Sequence, residues 1–397
     1  MEWKTEPLGD IAFMTSGGTP SSKISAYYEN GTIPWVRSGE LENGAIRDTE
    51  IKITQAGLDN SSAKIFPRGT LLIALYGATI GKLAYLDIDA CTNQAVCGIF
   101  ENDKVSLKYL YYFLLFHRPN LVKQGVGGAQ SNISQTILKK LMVSYPVEKA
   151  EQLRIVARIE ELFSELDNGV ETLQKTKQQL AVYRQAVLKE AFDRIIPNSK
   201  RQAIKSVCND IKVGIVIKPA QYYTDESNGI KAFRSANVRE FRINDADWVY
   251  LTKEGHEANL RSEIHTGDVL IVRSGYPGTA CVVTDDYNKC NAIDILIAVP
   301  NTNIVTPEYL CAFTNSPYGR KLVAEKKRGV AQAHLNVGGY SKMDIPVPEI
   351  SAQKQVVQSI EQRLSVYDSI SKTIDTALQQ AEAMRQSILK QAFEGRF

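Results

Sequence analysis

The chain has 397 residues, 44% hydrophobic and 23% charged, with a formal net charge of +3. That length suits two to three domains with separate apolar cores, which excludes disorder as the main state. So mild a positive charge permits a nucleic-acid partner without requiring one.

Residues 1–146 are predicted as a first globular region of mixed α/β type. The opening Met1–Glu6 carries acids where a signal peptide has a basic start, so a cytoplasmic location is expected. The loop Ser16-Gly17-Gly18-Thr19-Pro20 is followed by an apolar run, Thr70–Leu75, bounded by glycine and read as a strand. Such runs are far shorter than the roughly 20 residues of a membrane helix. Leu107–His117 reads as a short amphipathic helix, and Gly125-Val126-Gly127-Gly128 as a second loop. Pro146 then precedes a helical segment, 147–196, which Pro197 closes. A second globular region, 197–346, contains a strand at Val269–Val272 and a helix at Pro307–Thr314. Pro346-Val347-Pro348 leads into a last helical segment, 347–397.

The chain is written twice. Residues 150–196 match 351–397 without a gap at an offset of 201, with 15 of 47 positions identical, among them Gln152, Arg184 and Phe192. Chance would give about three identities. Fainter pairs precede them in the same order: Arg37-Ser38 with Arg234-Ser235, Gly77 with Gly275, Tyr109-Leu110 with Tyr309-Leu310, and Ala129-Gln130 with Ala331-Gln332. The offset drifts from 197 to 202, as small loop insertions between two copies of one fold would require.

Both matched segments follow a heptad spacing. Its apolar positions are Ile155, Ile159, Leu162, Leu166, Leu173, Leu180 and Val187 in the first copy. The second copy has Val356, Ile360, Tyr367, Ile370, Ile374, Met384 and Ile388. This predicts a coiled-coil seam between two helices, each roughly 60–70 Å long if continuous. Gly169 falls within the spacing of the first, beside Asp167-Asn168, where a kink is expected. Arg363, a charge in the second seam, is expected either to pair with Glu160 or Glu165 or to mark the contact of a partner helix.

Catalytic patterns are absent from the sequence. Gly77-Ala78-Thr79-Ile80-Gly81-Lys82-Leu83 has one residue too few for a phosphate-binding loop, and Leu83 stands where a metal-holding hydroxyl belongs, so a turn between strands is expected. None of the 14 prolines follows Asn, Asp or Pro, so the Asn-Pro-Pro stretch of adenine methyltransferases is missing. The six cysteines and four histidines show no metal-ligand spacing, and free thiols are expected. The chain reads as non-catalytic, with no cofactor or metal of its own. Two divergent globular regions on a duplicated antiparallel helix frame suggest a pseudo-symmetric reader, matching the two-fold symmetry of the DNA backbone.

In its motifs the chain resembles the specificity subunit of type I restriction–modification enzymes. Leu8-Gly9-Asp10-Ile11, the Ser16–Pro20 loop and Ile33-Pro34-Trp35-Val36-Arg37 are similar to the start of that family's target-recognition domain. Gly127–Ser134 with Glu151-Gln152 is similar to its end, and Arg184-Gln185-Ala186-Val187-Leu188 and Arg385-Gln386-Ser387-Ile388-Leu389 to its helix ends. The second half departs from the pattern: it has no Ser-Gly-Gly-Thr-Pro, and His334-Leu335-Asn336 replaces the stretch at Asn132-Ile133. The resemblance implies two pseudo-symmetric target-recognition domains separated by two long antiparallel coiled-coil helices. It implies a subunit that binds double-stranded DNA and assembles with two modification (methyltransferase) and two restriction (endonuclease) subunits. S-adenosylmethionine, ATP and magnesium would reside on those partners. Two other readings stay open: a coiled-coil scaffold that has lost DNA binding, and a stand-alone DNA-acting enzyme.

Arginine reads guanine, Asn and Gln read adenine, and Lys or a glycine-rich backbone holds phosphate. On those grounds the DNA-binding candidates of the first half are Lys23, Tyr27, Tyr28, Arg37, Ser38, Tyr76, Lys82, Gly128, Gln130 and Asn132. Those of the second are Lys218, Tyr222, Tyr223, Arg234, Ser235, Arg273, Tyr276, Lys327, Gln332 and His334. For Arg37 and Arg234, phosphate contact and an ion pair internal to the domain both fit.

Overall fold

A computed structural model describes residues 2–124, 132–327 and 334–397. The chain divides into two compact units, Met1–Leu173 with Thr376–Phe397, and Gln174–Asp375. Each unit therefore holds one globular region, the beginning of one long helix and the end of the other.

In the first unit, Leu71–Ala74 is the buried central strand of a five-stranded sheet. It lies between Val96–Ile99 and Leu83–Leu86, with Met14–Ser16 and Ala45–Ile46 at the edges. Strands buried on both faces read as continuous apolar runs, which is why this one stood out in the sequence. A four-stranded sheet orders Lys52–Ile53, Ile33–Val36, Ala90–Thr92 and Ile65–Phe66. Trp3–Pro7 pairs antiparallel with Met142–Pro146. The helix expected at Leu107–His117 runs on to Gln124 with Pro119 inside it.

The second unit repeats the plan. Val269–Val272 lies between Ile295–Pro300 and Ala280–Val282, with Cys208–Val213 at the edge. A second sheet orders Tyr223–Thr224, Val249–Leu251, Ile230–Phe233 and Asn291–Ala292, and Lys200–Ala203 pairs with Asp344–Val347. The parallel pairing of Trp35 with Cys91 recurs as Ala232 with Asn291.

The long helices span Lys149–Asp193 and Ile350–Phe393, the first unbroken across Gly169. Within the first unit Asp167 pairs with Arg385 while Arg154 reaches the Phe397 carbonyl. Within the second, Lys177 meets Asp375 at 2.6 Å and Glu190 meets Arg363 at 2.8 Å. In both, numbers rise along one helix as they fall along the other, so the segments are antiparallel. Arg363, then, pairs with Glu190 and lies over the Tyr183 ring, not with Glu160 or Glu165.

The seam needs a second correction. Ile155, Ile159, Val187, Ile360, Ile374 and Ile388 are buried, and Leu162, Leu166, Leu173, Leu180, Val356 and Tyr367 half-buried. Ile370 and Met384, placed in the seam by the apolar pattern, are exposed. The inward positions are one residue later, Ser371 and Arg385, because the second helix turns in at 364, 371, 378 and 385 between its every-seventh positions. Arg385 is accommodated there by pairing with Asp167 and lying over the Phe163 ring.

Each globular region is attached to the helices by the same two devices. At a helix start, Gln152 is wholly buried; its amide donates to the Lys104 and Pro146 carbonyls and its oxygen accepts from the Ser106 N–H, at 2.8–2.9 Å. Gln353 does the same with Ile304, Pro348 and Thr306. At a helix end, Phe393 packs on Tyr109 and Phe113 of the first unit, and Phe192 on Tyr309 and Phe313 of the second.

Candidate nucleic-acid interface

In the first unit, a hairpin loop joins Leu71–Ala74 to Leu83–Leu86, so Gly77–Lys82 is the turn between strands that its spacing implied. Gly77 and Gly81 have φ of +88° and +72°, conformations that side chains resist. The loop is pinned on several sides. The Leu75 N–H donates to Ala95 and its carbonyl accepts from Ile133, both at 2.7 Å. Tyr76 bridges to Asn132, the Thr79 hydroxyl donates to the Ser38 carbonyl at 2.7 Å, and Arg118 reaches the Ile80 carbonyl at 3.4 Å.

The strap 16–19 joins the same network. The Gly18 N–H donates to the Thr92 carbonyl at 2.9 Å, the Gly18 carbonyl accepts from the Trp35 indole at 3.0 Å, and the Gln135 amide donates to the Ser16 hydroxyl at 2.7 Å. A Cβ on Gly17 would lie 2.0 Å from the Thr92 carbonyl oxygen, so this backbone approach needs glycine. Residues 16–19, 37–38, 76–82, 92–95 and 132–135 are thereby brought into one surface.

The second unit builds an equivalent surface from different side chains. Residues 273–279 join Val269–Val272 to Ala280–Val282, with Gly275 and Gly278 at φ of +77° and +85°. The Leu335 N–H donates to the Arg273 carbonyl at 3.0 Å, as Ile133 does to Leu75. The Ser274 hydroxyl meets His334 Nδ1 at 2.5 Å, where Tyr76 meets Asn132 in the first unit. A strap is present too, though its sequence hid it. Gly214 would place a Cβ 2.3 Å from the Ala292 carbonyl, and the Ile215 N–H donates to that carbonyl at 2.8 Å. Sequence reasoning missed Gly214; its offset from Gly17 is 197, the same as that between Arg37 and Arg234.

The candidates separate by how far the fold already uses them. Lys23, Asn132, Lys218, Tyr223, Tyr276 and His334 are exposed, Tyr276 at 85%, while Lys82 and Tyr76 are half-buried at the first surface. Tyr28 is engaged in the fold: its hydroxyl donates to the Pro20 carbonyl at 2.5 Å, its ring abuts Trp35, and burial pushes its phenol up. The Tyr27 carbonyl accepts from Thr54 and that of Tyr222 from Thr252, which fixes their turns. Arg37 and Arg234 begin matching turns. Each backbone N–H donates to a side chain three residues on, Glu40 or Asn237, while the guanidinium bonds Glu50 or the Asp247 carbonyl. Ser38 and Ser235 follow in those turns, each with its carbonyl accepting, from Thr79 and Arg239 respectively. Arg273 is an ion pair with Asp294 at 2.5 Å. Gly128, Gln130 and Gln332, and the side chain of Lys327, lie outside the described residues.

The six cysteines are free, and burial pushes the thiol of Cys97 up to about 12. Among the described residues no group of three His, Cys, Asp or Glu is arranged to hold a metal ion, and no helix is long and apolar enough to cross a membrane. The surfaces therefore offer glycine-shaped backbone, hydroxyls, amides and cationic side chains.

Residues 1–180 match the family described as the type I restriction modification DNA specificity domain. The type I restriction enzyme EcoKI specificity subunit of Escherichia coli K12 is 23% identical, over 99% of this chain and 89% of its own length. The MjaIX specificity subunit of Methanocaldococcus jannaschii is 29% identical over 45% of this chain and 41% of its own. Among solved structures, a type I R-M system chain from work on complex assembly and conformational transition superposes with a TM-score of 0.77 at 17% identity, covering 98% of this chain and 97% of that one. The HsdS subunit from Thermoanaerobacter tengcongensis does so at 0.54 and 18%, covering 100% and 97%. At such identities the superpositions speak for the fold.

Proposed function

Because the chain belongs to the family of type I restriction enzyme specificity subunits, we propose that each unit reads one half of a bipartite, asymmetric DNA site. The long helices set the spacing of the halves and carry the docking surfaces for two modification subunits and, for cleavage, two restriction subunits. The chain itself does no chemistry in this reading. Its partners supply S-adenosylmethionine for adenine methylation, and ATP with magnesium for cleavage.

One observation carries the reading. The frame of each surface is repeated (Gly17 and Gly214 in the straps, Ile133 and Leu335 on the loops), while the side chains presented on it differ. Tyr76 and the longer loop Gly77–Lys82 stand in one unit where Ser274 and Tyr276 stand in the other. Repeated frame with altered display is what two unequal half-sites require. Bases are told apart only by the donors, acceptors and apolar groups set against their edges, and backbone contacts carry no sequence information.

The test is genome-wide mapping of methyladenine with and without this gene, in a host holding the modification subunits. Loss of one bipartite motif on deletion is expected, and exchange of residues 1–146 for another family member's should alter only one half of it. Loss of no motif would sink the reading, and DNA binding by the complex without steep salt dependence would count against phosphate contacts.

A further inference from the structure

Resting on the half-site reading above, we propose that Glu240 is a positioning residue for the second unit's loop 273–279. It ties that loop to the first long helix, so that the strictness of one half-site depends on the helix and that of the other does not.

Arg320 stands behind the loop. Its Nη1 donates to the Pro277 carbonyl at 3.0 Å and both Nη atoms reach the Thr279 hydroxyl, at 3.2 and 3.1 Å. That hydroxyl in turn donates to the Tyr276 carbonyl at 2.9 Å. The arginine thus holds the backbone on which Tyr276, 85% exposed, is displayed. Glu240 accepts from Arg320 at 2.8 Å through one carboxylate oxygen, and its other oxygen forms an ion pair with Arg184 of the long helix at 2.7 Å. All three side chains are about three-quarters buried. Arg184 is further fixed between the rings of Phe241 and Tyr367. Phe241 has a φ of +63°, and its N–H donates to the Ala280 carbonyl at 3.0 Å, so the backbone carrying Glu240 is itself anchored to the hairpin.

The first unit has the matching arginines and a matching glutamate, but among the described residues nothing links them. Gly81 lies against Arg118 as Gly278 lies against Arg320, and Arg118 bonds the Ile80 carbonyl. Glu42, one residue before the Asn43 that donates to Leu83, holds the place of Glu240. Glu42 is exposed, and among the described residues no ion pair joins it to Arg118 or Arg385. Arg385, the match of Arg184, is taken by Asp167 on the other helix. A carboxylate shared by two guanidiniums offsets the charge of both; without it, two part-buried cations lose their counter-charge and the loop backbone loses its brace.

The experiment maps methyladenine in a host carrying the full complex with Glu240→Gln, which keeps the shape and removes the charge, alongside Arg184→Gln and Glu42→Gln. With Glu240→Gln, methylation at sites mismatched in one half should rise roughly tenfold, about what discriminates one wrong base pair, while the other half stays strict. Arg184→Gln should relax the same half, and Glu42→Gln neither. Unchanged strictness in Glu240→Gln overturns the proposal, and so does equal relaxation of both halves, the signature of a merely weakened fold. A wild-type complex without any bipartite motif would instead overturn the half-site reading itself.

Discussion

The two units attach to the helices with interchangeable parts yet brace their loops differently. Gln152 and Gln353 make the same three bonds, and Tyr109 and Tyr309 both donate to a carbonyl of the strand before the helix, Ser144 at 2.8 Å and Pro346 at 2.9 Å. Behind the loops, the Arg184–Glu240–Arg320 chain has no match at Glu42 among the described residues. Attachment to a common frame demands fixed geometry, so it repeats. The side proposed to meet DNA is free to vary in both contacts and stiffness.

The largest effect should come from removing a helix-end anchor. Phe192 is wholly buried between Tyr309 and Phe313. Phe192→Ala should cost about 3–5 kcal/mol of the second unit's stability through lost burial and the cavity left behind. Phe393→Ala, at a half-buried position, should cost the first unit somewhat less. Hydrogen exchange resolved by segment checks this: protection should fall around 305–313 in one variant and 105–113 in the other. A fall in both units from either change would break the picture of separate anchors.

Next come the buried glutamines. Replacing Gln152 with Leu preserves much of the volume but strands the Ser106 N–H and the Lys104 and Pro146 carbonyls. Unpaired buried groups cost about 1–3 kcal/mol each, so a loss of about 3 kcal/mol is expected, and a similar one for Gln353→Leu. Denaturant titrations should show equal losses, since the two sites are built alike; unequal losses would reveal a difference between the units that the geometry does not contain.

How much of this was readable beforehand follows from where the repeat is strict. Gln152, Arg184 and Phe192 recur at one offset because helix positions cannot shift without turning away from their partners, so alignment found them. Most of their partners stayed hidden, because residues such as Lys104 for Gln152, Glu240 for Arg184 and Tyr309 for Phe192 lie far off in sequence. The straps were harder. Gly214-Ile215-Val216-Ile217 shares one glycine with Gly17-Gly18-Thr19-Pro20, and only the close approach to the Ala292 carbonyl explains why that glycine is kept. Arg37 and Arg234 left two readings open, and both arginines prove to be bonded within their own units.

The seam shows the same limit and allows the sharpest small test. A spacing of apolar residues selected Ile370 and Met384, while the helix turns Ser371 and Arg385 inward. Apolar character is a good guide to burial only where no charge is compensated, and Arg385 is compensated by Asp167. Ile374 is 4% exposed and Ile370 is 42% exposed, four residues apart on one helix. Ile374→Ala should therefore cost about 2–4 kcal/mol, and Ile370→Ala about 0.5 kcal/mol or less, as for other surface changes. Thermal unfolding of the two variants side by side checks the register. Equal costs would restore the heptad read from the sequence. The expected inequality would mean that the second helix meets its partner through alternate layers of apolar and polar residues, with Ile374 in the seam and Ile370 outside it.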